Sequence, residues 1–171
     1  MKNRILENFT KEELIELIEI YSKSCLAMDG VWFQSIEKMR GMDEAMEHDA
    51  NAWHVFTQIE AGKIKKFLKL PEHPGIEGLK QALSLRFYAN INADEIIVDG
   101  NQLIYRTLNC RVQNARKRKG MEFHPCKPVG LIEYSGFAKV IDIRFECEAL
   151  SCYPDITDDT CNCAWRFTLN E

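Results

Sequence analysis

The chain has 171 residues, 46% of them hydrophobic and 28% charged, enough apolar material to bury a core and too much for a disordered or fibrous class. Its net charge of -4 argues against a protein built to neutralise phosphate backbones, so nucleic acid is not an expected partner. No run of some twenty apolar residues offers a membrane span, and the opening Met1-Lys2-Asn3-Arg4 lacks the apolar stretch of a secretory signal; a cytoplasmic protein is expected.

From Thr10 to Asn90 the apolar period is helical. Thr10-Lys11-Glu12-Glu13 has the form of a capping box, followed by Leu14, Ile15, Leu17, Ile18 and Tyr21. Asp29-Gly30 is expected to break or kink this helix before a short second segment that ends at Gly41. A longer helix starts near Asp43 with an inward stripe of Met42, Ala45, Met46, Ala52, Trp53, Phe56, Ile59, Ile64 and Phe67, and stops where Pro71 and Pro74 forbid continuation. Ile76, Leu79, Leu83 and Phe87 mark one more amphipathic helix.

After Asn90 the period changes. Glu95 to Val98 and Leu103 to Leu108 flank Asp99-Gly100, a tight-turn signal, and predict a hairpin. Asn109 is suited to cap a basic helix from Cys110 to Lys119, and Pro128 to open a short helix to about Ala138. Ile141, Ile143, Phe145 and Cys147 alternate with polar residues, and Cys161, Cys163, Trp165, Phe167 and Leu169 repeat the pattern, which predicts a second hairpin. The expectation is a single α+β domain over 1–171. Its helical half (1–92) packs on an antiparallel sheet made from the two hairpins of the second half (93–171).

Seven cysteines, an odd number, are more often metal ligands or reactive groups than disulfides in a reducing compartment. Six lie in the last third, at turns and strand ends where separate backbone segments can converge on one ion. The preferred ligand set is Cys110, Cys126, Cys152 and Cys163, with Cys147 and Cys161 as substitutes and His124 as a nitrogen alternative. Zinc is the expected metal, an iron-sulfur cluster the alternative. Cys110, at a helix N-terminus and near Arg111 and Arg116, is also a candidate nucleophile. Asp49 interrupts an apolar stripe; with Glu37 and Asp29 it is a candidate for handling protons in a pocket, or else for pairing with an arginine. Arg111, Gln113 and Arg116 are candidate ligand contacts.

Cys110-Arg111-Val112-Gln113-Asn114-Ala115-Arg116, Phe123-His124-Pro125-Cys126, Asp29-Gly30-Val31-Trp32-Phe33, Cys152-Tyr153-Pro154-Asp155 and Cys163-Ala164-Trp165-Arg166-Phe167 together resemble a family of bacterial "cytosolic proteins" of unknown function. More remotely, the pattern is similar to the L-2-amino-thiazoline-4-carboxylic acid hydrolase group and to 4-vinyl reductase type ligand-binding domains. The latter resemblance implies helices against an antiparallel sheet, a cysteine-bound zinc near the last hairpin and a pocket for a small organic ligand. It points to Cys126, to Cys152 or Cys147, and to Cys163 or Cys161, while Cys110 rests on the other two likenesses.

Two functions are expected to compete. One is a zinc-binding module with a small-molecule pocket between helices and sheet, lined by Trp32, Phe33, Trp53 and Tyr134. The other is a metal-dependent hydrolase of a small C–N or C–S bond, with Asp49 or Glu37 managing protons. A small-molecule ligand is the expected partner, and association into a homodimer is left open.

Overall fold

A computed structural model describes residues 4–171. Among these residues the chain forms five α-helices, α1 (Lys11–Arg40), α2 (Met42–Leu68), α3 (Gly75–Leu83), α4 (Arg111–Arg118) and α5 (Lys127–Ile141). Four strands, β1 (Ala93–Asp99), β2 (Gln102–Asn109), β3 (Phe145–Cys152) and β4 (Cys163–Leu169), make one antiparallel sheet in the order β1-β2-β4-β3. No helix among the described residues is long and apolar enough to cross a membrane.

The capping box forms as its residue types dictate: the Glu13 N–H donates to Thr10 Oγ1 at 3.1 Å, and the Thr10 N–H donates to Glu13 Oε2 at 2.7 Å. The helix it starts does not break at Asp29-Gly30 but runs on to Arg40. A glycine inside a helix costs only about 1 kcal/mol against alanine, and anchors on both sides of it, half-buried Leu26 and buried Phe33, hold the helix in register. The break comes instead at Gly41, whose φ of 94° is open to glycine and which lets α2 begin at the next residue.

In α2 the buried positions are Ala45, Trp53, Thr57 and Ala61, whereas Ile59 and Phe67 from the expected stripe are exposed. The reason is that α2 lies close against α5. A close approach selects small residues, and Thr57 can be buried because its hydroxyl donates to the Glu133 carbonyl at 2.9 Å. The opposite side of α5 covers the sheet: Tyr134 stacks on Trp165 with ring centroids 4.7 Å apart, and Phe137, Ala138 and Ile141 complete a core with Leu103, Tyr105, Phe145 and Phe167. Ile141 belongs to α5, not to the last hairpin, and Ile143 in the following turn is exposed, so β3 starts at Phe145.

The outer face of the sheet carries charge, with Arg106 paired to Glu95 at 2.6 Å and Arg166 to Glu148 at 2.7 Å. One irregularity shapes the inner face. A bulge between Ala149 and Ser151 shifts the pairing so that Cys152 stands opposite Cys163 and Ser151 opposite Ala164. The extra residue turns Cys152 toward the helices, on the side that Phe145 and Cys147 occupy earlier in the strand.

A buried ion cluster joins the two halves. Arg86 is fully buried, pairs with Glu60 of α2 at 3.0 Å and with Glu133 of α5, and lies 4.9 Å from the Phe137 ring and 5.1 Å from that of Tyr134. Glu60 also accepts the Phe87 N–H at 3.0 Å, which fixes the short turn Phe87–Asn90.

A close helix-to-sheet contact lies at Gly130, where an added Cβ would stand 2.5 Å from the Trp165 ring. Gly130→Ala is expected to overpack this contact and destabilise the fold by about 1–3 kcal/mol. Thermal or urea unfolding checks it, and an unchanged midpoint would show that the ring yields.

Candidate functional site

A cavity of about 680 Å3 opens between α1, α2, α4, α5 and the inner face of the sheet. Phe33, Trp53, Tyr88, Tyr134 and Trp165 supply aromatic walls, and Trp53 and Tyr88 stack at 5.7 Å. Asp29, Asp49, His124 and Glu133 bring polar groups to it, and Cys110, Cys126, Cys152 and Cys163 bring thiols.

Each thiol is placed by the end of an element. Cys110 occupies the N-cap position of α4, where its N–H donates to Asn162 Oδ1 at 2.8 Å and the Arg111 N–H donates to Asn92 Oδ1 at 3.1 Å. Asn109 is therefore not the cap; its amide oxygen takes a hydrogen bond from the Asn114 side chain. Cys126 stands at the start of α5, with Pro128 in the first turn, and Cys152 and Cys163 face each other at adjoining strand ends. The Cys152 thiol is close enough to those of Cys126 and Cys163 for each neighbour to shift its titration.

The electrostatics are those of crowded sulfur away from water. Burial pushes the Cys110 thiol up to about 11, despite hydrogen bonds from the Gln113 and Val112 backbone. A thiolate favoured by the helix terminus and nearby arginines is thus not what the geometry gives at Cys110: desolvation outweighs them. The neighbouring Cys126 thiol and burial raise Cys152, and the neighbouring Cys152 thiol and burial raise Cys163.

Cys147 and Cys161 lie apart from these four. Cys147 is half-buried and raised to about 12 by burial, and Cys161 precedes the regular strand with its thiol 3.5 Å from Asp158 Oδ2. Neither lines the cavity. As placed, no group of three or more His, Cys, Asp or Glu side chains among the described residues is drawn together closely enough to hold a metal ion.

A relay reaches one of the four thiols. Asp49 Oδ2 is 3.1 Å from His124 Nε2, and His124 Nδ1 is 3.3 Å from Cys126 Sγ. Gln113 organises this corner by accepting the His124 N–H at 3.0 Å and by donating to the His124 carbonyl at 2.8 Å and to Cys126 Sγ at 3.1 Å. The sequence signal for the relay was modest: a histidine two positions before a cysteine, and an aspartate interrupting an apolar stripe.

The remaining predicted residues divide. Phe33, Trp53, Tyr134, Arg111 and Arg116 line the cavity, while Gln113 supports it from behind. Trp32 is 68% exposed on the outer side of α1 and does not line it, because Phe33 is the neighbour that turns inward. Glu37 does not line it either: both its oxygens are held by the buried Arg116, at 2.6 and 2.8 Å, and this pairing keeps its carboxyl below the usual range. Arg116 also donates to the Glu122 carbonyl, so its guanidinium clamps α1 to α4 and to the loop before Cys126.

Known proteins place the chain by family. A family model described as a family of unknown function, DUF6125, matches residues 7–169. The chain belongs to this family. Comparison with curated proteins gives no match.

Asp29 carries the site's clearest pH dependence. Burial, with Asp49 and Glu133 nearby, raises its carboxyl to about 6. Between about pH 4 and 6 the folded chain holds a proton that the unfolded chain has released, so stability falls as pH rises through this window. Asp29→Asn is expected to remove this slope and to be more stable than the parent at pH 7. Equal slopes for parent and variant in urea titrations from pH 4 to 7 would rule out a buried Asp29 charge.

Proposed function

We propose that the chain binds zinc through Cys110, Cys126, Cys152 and Cys163 and takes a small organic molecule in the adjoining cavity. One observation carries the reading: thiols from four separated stretches line a single cavity, with Cys152 and Cys163 paired across adjoining strands, while Cys147 and Cys161 stand elsewhere. Four thiolates suit a tetrahedral zinc ion, whose charge offsets the cost of gathering buried sulfur anions; an iron-sulfur cluster is the alternative for the same donors. Gln113 and His124, both beside Cys126 Sγ, would orient that ligand from behind, as outer hydrogen-bond partners do at metal sites. The ion would tie α4 and α5 to the last two strands, and the aromatic walls leave room beside it for a ligand.

Binding energy at a structural metal site is folding energy. Protein purified without oxygen or chelators is expected to carry stoichiometric zinc by elemental analysis. Cys126→Ser and Cys152→Ser should lower both metal content and melting temperature, and Cys147→Ser should leave metal content as it is. Metal-free parent protein that melts at the same temperature with and without added zinc defeats the reading; iron with acid-labile sulfide selects the cluster.

The relay favours a second reading, an enzyme. A carboxylate that holds an imidazole, which in turn touches a thiol at a helix N-terminus, is an arrangement for nucleophilic catalysis. Cys126 would attack an electrophilic carbon and His124 would pass the thiol proton to the departing nitrogen or sulfur. Asp49 would then act through His124, and Glu37 would take no part. The two readings differ at Cys126. If the protein is metal-free and iodoacetamide labels Cys126 at least tenfold more slowly in Asp49→Asn, the enzyme reading gains; if labelling requires a chelator, the zinc reading stands.

A further inference from the structure

The helix α1 carries an apolar seam that the fold leaves uncovered. Leu14, Ile18, Tyr21, Cys25, Met28, Trp32, Ser35 and Met39 follow one another in alternating steps of four and three. This is the 3.5-residue period of a coiled-coil seam rather than the wider stripe of a helix lying on a core. The core side of α1 is a different face, marked by buried Ser22 and Phe33. Along the seam Ile18 is 52% exposed, Tyr21 66%, Met28 67%, Trp32 68% and Met39 75%, and Cys25 and Ser35 are exposed as well.

We infer that this seam pairs with the same seam of a second copy of the chain, the two α1 helices running antiparallel. A two-fold axis between Cys25 and Met28 sets the register. It stacks Tyr21 on Trp32 of the second copy, Cys25 on Met28, Ile18 on Ser35 and Leu14 on Met39, so each a-type position meets a d-type one and the seam is its own complement. Charge selects the direction. The first half of α1 carries Glu12, Glu13, Glu16 and Glu19 against Lys11 and Lys23, and its last turn carries Lys38 and Arg40. In this register Glu13 stands level with Arg40 of the second copy, the one like-charged pair, Glu16 with Glu37, is offset by the Arg116 that holds Glu37, and the helix dipoles oppose, whereas a parallel pair sets four glutamates against four. The area suffices: the exposed seam side chains offer on the order of 700 Å2 per copy, against about 800 Å2 per partner in a standard stable interface. This association needs neither the metal nor the cavity ligand.

Sedimentation equilibrium of the full chain, reduced and at micromolar concentration, is expected to give twice the chain mass. The double variant Tyr21→Glu and Trp32→Glu should give the chain mass with unchanged far-ultraviolet circular dichroism; if it fails to fold, Met39→Lys at the helix end should weaken dimerisation at least tenfold. Glu16→Lys, off the seam, should stay dimeric. Met28→Cys under mild oxidation should yield a 25–28 interchain disulfide by peptide mapping. A monomeric parent at all concentrations overturns the inference, whether or not it adsorbs to lipid vesicles. So does a dimer that survives all the seam substitutions, or a 25–25 interchain link in the parent, which would require parallel helices or a two-fold axis at Cys25 and so a different register.

Discussion

The buried Arg86 guanidinium is the constraint on which the arrangement of the two halves depends. A cation with no access to water must keep its anionic partners, because removing one leaves an uncompensated charge at a cost of about 3–5 kcal/mol. Those partners are Glu60 in α2 and Glu133 in α5, and the rings of Tyr134 and Phe137 close around them. The helical hairpin therefore cannot slide along α5 without breaking the cluster, and α5 cannot turn on the sheet without moving Tyr134 off Trp165. Burial still raises the Glu133 carboxyl, but charge and hydrogen bonding from Arg86 oppose the shift.

With those elements fixed, the cavity follows. Its thiols stand where a helix begins, where another begins, and where two paired strands end, and such termini leave backbone groups and side chains free to face a common point. The second charged clamp, Arg116 to Glu37, does for the approach to the cavity what Arg86 does for its base: it holds the loop leading to Cys126 against α1. An aromatic wall, a set of thiols and a carboxylate-imidazole-thiol chain thus come together, with His124 carried on a loop that Arg116 and Gln113 pin.

Much of this frame was legible in the sequence. The capping box at Thr10, the turn at Asp99-Gly100 and the alternation in the last strand are local signals, and local physics decided them. What the sequence concealed depends on contacts between distant segments. The stripe read on α2 counted large apolar residues, but the helix it meets lies so close that Ala45, Thr57 and Ala61 take the inner positions. Gly30 looked like punctuation and is an ordinary helical residue, since flanking packing outweighs its propensity. The cysteines were separable only in part: clustering named six, and position at the ends of elements favoured the four that line the cavity, yet alternation alone could not tell Cys161, which precedes the regular strand, from Cys163, which opens it. Arg86 gave no signal, because a lone arginine between apolar residues reads as surface until two glutamates arrive from elsewhere.

The bulge in β3 imposes an arithmetic on the chain. Side chains of a strand alternate between two sides, so Cys147 and Cys152, five positions apart, could not look the same way without one surplus residue. Inheritance that trims or adds a single codon between them would swing the second sulfur out to the charged exterior; changes in pairs would spare it. Spacing in this stretch is consequently a matter of odd and even.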